Sequence, residues 1–514
     1  MAAPQPANGG TLSPVTIDPA EAGRTTDGAA VVLASLEKWL NYSDLTEPAR
    51  RRRQWAKLLD QPLPLDPAGF DSVIAELAEN VIPNGLPVGA PGFNGFITTG
   101  PTTSAALAQF AAAIASPQRY GVSAFNLLEE VSLRWLAELC GLPAGVQGVY
   151  STGGSTANVL ALGAARQAAF AARGIDVGRD GLPGDVRAVL YASSESHHSI
   201  QRAAAVLGLG RGGVRAVPVD NAQRLDVAAL EQLLLADLAA GVLPVAIVAN
   251  AGTTNTGAVD PIDAIADLAQ RHGVWLHVDG AFGLPAACVP ELAPLFAGSE
   301  RAQSWVVDPH KWLATGVGCG ATYVRDAQLL HDTFTQTPAS YLAAGGTRAD
   351  GSSASQEPAG WAFEDFGVHY DDLSMELSAP PRGVLVWIVL REIGRLGLQS
   401  RIRQHVGFAR LLTDIARRHP RLEPLIDPEL SIAALRYRPK GQPTETEVDE
   451  LNRLILTRIW QQTDIYPTST VVNGAFAIRP AYINPRTTVE HVDGLADAII
   501  RLGDELTTGA PPQS

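Results

Sequence analysis

The sequence predicts an α/β protein, with a mostly parallel central sheet, helices on both of its faces and a smaller C-terminal α+β domain. Three observations carry this. Short continuous apolar runs at 188–191, 245–249, 274–278 and 305–307 alternate with helical stretches at 157–173, 227–240 and 262–272. Strands buried on both faces read as uninterrupted apolar runs, and alternation with helices implies parallel pairing. Polar residues gather just beyond those runs, at Ser193-Ser194-Glu195-Ser196-His197-His198, Gly252-Thr253-Thr254, Asp279 and Asp308-Pro309-His310-Lys311. Open parallel sheets bind ligands at the carboxyl ends of their strands, so four such ends point to one site. Beyond about residue 395 the pattern changes to helices mixed with short strands at 432–437 and 475–479.

Taken in order, residues 1–30 are rich in Pro, Gly and Ala and are expected to form a disordered tail. Residues 31–85 carry two amphipathic stretches, VVLASLEKWL and SVIAELAEN, and read as an N-terminal helical arm too small to bury a core alone. Residues 86–395 form the large α/β domain. It contains a long Gly/Ser/Ala-rich loop at about 334–372, and loops of that length are commonly functional. An apolar helix is expected from about Val384 to Gly394, and residues 396–514 make the small domain.

The chain has 514 residues, with 39 Lys and Arg against 53 Asp and Glu, a net charge of −14. That balance argues against a nucleic-acid partner, which needs clustered cations to neutralise phosphates. The single basic run, Arg50-Arg51-Arg52-Arg53, reads as a solvated helix face or a subunit contact. The first residues lack the basic and apolar regions of a signal peptide, and no apolar run reaches the roughly 20 residues that span a bilayer. Three widely spaced cysteines without a CxxC pair indicate neither a disulfide framework nor a zinc site. A cytoplasmic enzyme acting on a small molecule, without a membrane partner, is the expectation.

Lysine usage narrows the chemistry. Lys occurs only at positions 38, 57, 311 and 440, so 35 of the 39 basic residues are Arg. Arg cannot form an imine, and a Lys retained in SWVVDPHKWL is a nucleophile candidate. Gly153-Gly154-Ser155-Thr156 opens a long Ala-rich helix, where glycines and first-turn amides can cradle an anion. Asp279 closes the run GVWLHVD, and a buried carboxylate there needs a cation or a donor. His277, two residues earlier, could pair with it on a metal, but no third ligand stands at a useful spacing and no metal is expected. An anion cradle, a strand-end carboxylate 32 residues before an isolated Lys and a nearby His together suggest pyridoxal phosphate.

On these motifs the chain resembles the group II pyridoxal-phosphate-dependent amino-acid decarboxylases, which include aromatic L-amino-acid and glutamate decarboxylases. The resemblance spans about residues 75–500 and rests most on HVDGAFG at 277–283 and DPHKWL at 308–313, with support from RPAYINPRTT at 479–488. It implies the fold type I, transferase-like architecture and a homodimer. By the same resemblance Lys311 forms the imine with pyridoxal 5'-phosphate, His310 contacts the phosphate region and Asp279 pairs with the ring nitrogen. Ala281 packs beneath the ring, His197 stacks on it and assists catalysis, Gly154 and Ser155 belong to the phosphate loop, and Thr254 contacts the cofactor. Phe96 and Thr98 match a substrate-side segment. Tyr370, 17 residues before Trp387, matches a mobile-loop tyrosine that protonates the substrate α-carbon. The implied reaction is α-decarboxylation of an L-amino acid, aromatic favoured, to an amine and carbon dioxide. The alternatives are an aminotransferase using Arg479 for the α-carboxylate, an aldehyde-forming decarboxylase, and a non-catalytic cofactor binder. The chain departs from the family where Ala379-Pro380-Pro381 replaces basic residues ahead of Arg382.

Overall fold

The computed structural model describes residues 19–39, 48–117, 123–335, 368 and 370–508. Most of the loop expected at 334–372, and the first 18 residues of the expected tail, lie outside them. The chain divides into two compact units, Met1–Ala90 and Pro91–Ser514.

The first unit holds helices α1 (Pro19–Trp39), α2 (Pro48–Leu59) and α3 (Phe70–Glu76). The expectation of disorder through residue 30 is corrected here, because α1 already begins at Pro19. Pro suits a first helical turn, where its missing N–H has no intrahelical partner to lose. The helix is also held by packing: the Arg24 guanidinium lies 6.0 Å from the Phe70 ring centre, and Ser35 Oγ donates to the Ala78 carbonyl at 2.6 Å. The basic run falls on α2, whose side chains from Arg52 to Leu59 are exposed except for the half-buried Trp55.

The second unit is built on a seven-stranded sheet of β1 (Gln147–Ser151), β2 (Ala188–Ser193), β3 (Val214–Val217), β4 (Leu243–Asn250), β5 (Trp275–Asp279), β6 (Ser304–Val307) and β7 (Gly320–Val324). Their order is β1-β7-β6-β5-β4-β2-β3. Pairing is parallel from β6 through β3, and β7 alone runs antiparallel to its neighbours β1 and β6. The four strands read from the sequence form the consecutive block β6-β5-β4-β2. Around the sheet lie α4 (Thr103–Ala115), α5 (Ala124–Leu139), α6 (Gly154–Ala171), α7 (Val177–Asp180), α8 (Ser199–Val206), α9 (Val227–Ala239), α10 (Ile262–His272) and α11 (Ala327–Phe334). Side-chain acceptors start several of them: Thr102 caps α4, Asp226 caps α9 and Asp326 caps α11. Helix α6 is apolar nearly all round, and most of its residues are buried.

Helix α12 (Gly383–Arg418) is two helical segments that meet at the expected stop. Gly394 does break it, with φ of 63°, but the chain resumes helical geometry beyond that kink. There follow β8 (Leu422–Pro424), β9 (Leu435–Tyr437), α13 (Glu445–Gln462), β10 (Thr468–Val472), β11 (Ala475–Arg479) and α14 (Val489–Thr508). The strands make an antiparallel sheet in the order β10-β11-β9-β8. Its core joins Leu412 of α12, Ile455 and Ile459 of α13, Ile478 of β11 and Ile499 of α14. Thr444 and Glu447 start α13 with a reciprocal capping box. This smaller α+β region belongs to the same compact unit as the large sheet, so the expected boundary at 395/396 marks a kink rather than a break in packing.

Candidate active site

The ends of β1, β2, β4, β5 and β6 open on one cavity of about 310 Å³, at the lower limit of the roughly 300–1,000 Å³ usual for small-molecule pockets. Gly154, Ser155, His197, Thr254, Asp279, Ala281, His310 and Lys311 all line it. These are the eight residues singled out from the sequence as cofactor-binding.

Glycine is required where β1 turns into α6. Gly153 has φ of 139°, which side-chain-bearing residues rarely adopt. A Cβ on Gly154 would stand 2.7 Å from Asp308 Oδ2, and one on Gly320 would stand 2.6 Å from the Gly153 α-carbon. No side chain caps the start of α6. Its first-turn amides therefore face the cavity mouth as an anion site.

Lys311 follows β6 through Asp308, whose amide donates to the Ala281 carbonyl at 3.1 Å. The Lys311 Nζ lies 3.1 Å from Asp308 Oδ2. His310 donates from Nδ1 to the Cys319 carbonyl at 2.7 Å, since a carbonyl only accepts. At the end of β5, Asp279 Oδ2 accepts from Asn158 Nδ2 at 3.0 Å and Oδ1 accepts from the Ala281 amide at 3.2 Å. His277 is fully buried, with Nε2 against Asn158 Oδ1 at 2.8 Å and Nδ1 against Ser304 Oγ at 2.9 Å. Both its nitrogens are engaged by protein groups, so neither is open to a metal. Burial holds its pKa down to about 4. His197 Nδ1 lies 2.8 Å from Ser199 Oγ, and the His198 ring stands 4.0 Å from its own, centre to centre. Burial, and then the neighbouring His198, hold the His197 pKa below its ordinary value.

Three residues sit away from the positions expected of them. Phe96 and Thr98 do not line the cavity, and Ile97 between them does. Phe96 is 58% exposed with φ of 55°; its amide donates to Thr468 Oγ1 at 3.3 Å and its carbonyl accepts from Arg479 Nη1 at 2.7 Å. Tyr370 does not line the cavity either. It opens a short 3-10 turn, Tyr370–Leu373, with 1% of its surface exposed, and belongs to the main apolar core beside Leu373 and Tyr323. Burying a large ring there satisfies the core, and farther along the chain Arg382 and Glu376 form a bidentate pair, both contacts at 3.0 Å. Arg479 also differs from the aminotransferase reading. Its Nε, Nη1 and Nη2 donate to the carbonyls of Asn255, Phe96 and Thr254.

Sequence reasoning gave no individual role to Asn158, Asn250, Phe282 or Asp308, all of which line the cavity. Asp308 was visible in the DPHK run, whereas Asn158 is one of two amides in α6, with Gln167, and nothing in the sequence singles it out.

The residues present fit pyridoxal phosphate. Asp279 is a buried carboxylate that meets an amide and a backbone N–H but pairs with no Lys or Arg among the described residues, leaving it suited to a cationic ring nitrogen. The Lys311 amine, the small residue Ala281 in the lining and the uncapped start of α6 complete the set.

Comparison with known proteins agrees. The family model described as the pyridoxal-dependent decarboxylase conserved domain matches residues 52–438. Tryptophan decarboxylase 1 of Oryza sativa subsp. japonica is 30% identical over 457 residues, covering 85% of each chain. Acidic amino acid decarboxylase GADL1 of Homo sapiens is 29% identical over 519 residues, covering 97% of this chain and 94% of its own. The crystal structure of Oryza sativa TDC with PLP and tryptamine superposes with a TM-score of 0.84 at 27% identity, covering 96% of this chain and 100% of that one. The chain thus belongs to the pyridoxal-dependent decarboxylase family, with the fold type I architecture, and is a pyridoxal-phosphate-dependent amino-acid decarboxylase.

Proposed function

We propose that the amino acid decarboxylated is aromatic and that the product is the corresponding amine. The observation that carries this reading is the distribution of charge in the cavity. Its protonatable cations are Lys311, His197 and His310, and each is already engaged, with Asp308, Ser199 and the Cys319 carbonyl respectively. An acidic substrate side chain would meet no free cation among the described lining residues, while Ile97 and Phe282 offer apolar surface.

Bound pyridoxal phosphate supplies a conjugated ring that accepts the electron pair left when the bond from the α-carbon to the carboxylate breaks. Lys311 is the residue that would hold the cofactor through its side-chain nitrogen, which lies 3.1 Å from Asp308 Oδ2. Asp279 would pair with the ring nitrogen and favour its protonated form, and the first-turn amides of α6 with Ser155 would hold the phosphate. Thr254 and His310 border the same site. Arg479, with three carbonyls on its guanidinium, has a clamping role between β11 and the two segments it binds. That supports decarboxylation over transfer of the amino group. Tyr370 has a packing role in this reading.

Two further parts of the proposal rest on the chain's surface and thiols. Leu107, Phe110 and Ile114 form an exposed apolar stripe on α4, which supports a homodimer; sedimentation equilibrium reads this directly as one chain mass or two. Cys140, Cys288 and Cys319 are buried free thiols, which supports a reducing, cytoplasmic setting. The reaction itself is tested by identifying the product formed from separate pools of aromatic, acidic, basic and aliphatic amino acids.

A further inference from the structure

Asn158 of α6 touches three groups whose chemistry fixes its own orientation. A carboxylate only accepts, so the Asn158 atom facing Asp279 Oδ2 at 3.0 Å is the amide nitrogen. The amide oxygen then faces His277 Nε2 at 2.8 Å. That oxygen also only accepts, so the ring proton of His277 sits on Nε2. Burial keeps His277 neutral, and its Nδ1 is a bare lone pair that takes the Ser304 hydroxyl proton at 2.9 Å. Ser304 Oγ in turn accepts from the Trp275 indole N–H at 2.8 Å.

The second arm leads to His197. The other Asn158 amide proton goes to Ser199 Oγ at 3.0 Å. Ser199 is thereby an acceptor toward Asn158, and its own hydroxyl proton is directed to His197 Nδ1 at 2.8 Å. The Ser199 backbone N–H also points to that nitrogen, at 3.3 Å. Two donors converge on Nδ1, which leaves the proton of neutral His197 on Nε2. The groups that act on this ring are His198, tilted against it with ring centres 4.0 Å apart, and the charges of Asp279, Lys311 and Asp308; burial, His198 and Lys311 outweigh the two carboxylates and favour the neutral ring.

We propose that Asn158 is a positioning residue which, oriented by Asp279, sets the tautomers of both His277 and His197, so that His197 offers the cavity an Nε2–H donor rather than a lone pair. One amide thus couples the carboxylate expected at the cofactor ring nitrogen to the imidazole expected on the ring face. This rests on the reading of the cavity as the decarboxylase site. It adds that His197 enters the reaction as a hydrogen-bond or proton donor, not as a base.

The test is nitrogen NMR of the full-length protein labelled at its histidine ring nitrogens, recorded at pH 7.5 with and without pyridoxal phosphate. The His197 signals are assigned by their loss in His197→Gln. In both samples the expected result is one protonated and one unprotonated ring nitrogen, with couplings that place the proton on Nε2. In Ser199→Ala the His197 nitrogens should shift toward the averaged values of mixed tautomers, and Asn158→Ala should do the same. If Asn158→Ala does not fold, the unmutated protein and Ser199→Ala still decide. A His197 protonated at Nδ1, or a tautomer unmoved by Ser199→Ala, overturns the proposal. Because no substrate is present, that failure leaves the aromatic decarboxylase reading standing, and a different product from the amino-acid pools leaves the tautomers untouched.

Discussion

At the scale of single residues, Lys311 and Asp308 form the part of the site that tolerates least change. The only Lys between positions 58 and 439 lies 3.1 Å from a carboxylate that is 3% exposed. Arg keeps the charge but cannot form the covalent link, so both Lys311→Ala and Lys311→Arg should lose the cofactor's visible absorbance and roughly a thousandfold or more of turnover. Absorbance spectra and single-turnover assays measure the two losses. Such residues were legible because their type is unusual in this chain and their chemistry is specific. Asn158 was not, since one amide in GGSTANVLALG breaks no periodicity and its meaning lies in partners 41, 119 and 121 residues away. Tyr370 was legible as a motif but not as a position. Spacing to Trp387 says nothing of which face of the turn is buried, and the core took the ring.

At the scale of elements, the strands that could be read are those buried on both faces. Residues of β2 and β6 are buried throughout, and those of β4 nearly so, which makes their sequences uninterrupted apolar runs. Strand β3 is short, with three of four residues only partly covered or exposed, and β7 opens on Gly320 among small residues, so neither produced that signal. Helix α12 was legible in the same way: the apolar helix read as ending at Gly394 does end there, where φ of 63° and ψ of −177° leave helical geometry, and a second helix follows. Strand β7 also sets the anion cradle, because its first residue presses on Gly153. Gly320→Ala would drive a methyl group to 2.6 Å from backbone and 2.8 Å from Asp308 Oδ1. Overpacking of this kind costs about 1–3 kcal/mol. Urea unfolding should register that loss, and cofactor titration should show weaker binding, since the displaced atoms are those of the cradle and of Asp308.

At the scale of the whole molecule, buried histidines give the fold a definite response to acid. Burial pushes His277 to about 4 and His405 to about 3, against an ordinary 6.5 in the unfolded chain. The folded state holds these rings neutral while the unfolded state takes up protons, so their full stabilisation is present above pH 6.5 and declines as the pH falls toward 4 and then 3. Asp260, raised to about 6 by burial, works in the opposite sense between about pH 4 and 6. Between pH 8 and 6 the histidines prevail, and unfolding stability should fall by about 1–2 kcal/mol, with His405→Gln reducing the slope. A urea midpoint that is flat across that range would contradict the assignment. The measurement that tests this account most directly is mass-spectrometric identification of the product formed by the pyridoxal-phosphate-loaded enzyme from separate amino-acid pools. An amine derived from the aromatic pool is the predicted result. An amine from the acidic pool, or an aldehyde or keto acid from any pool, would contradict it.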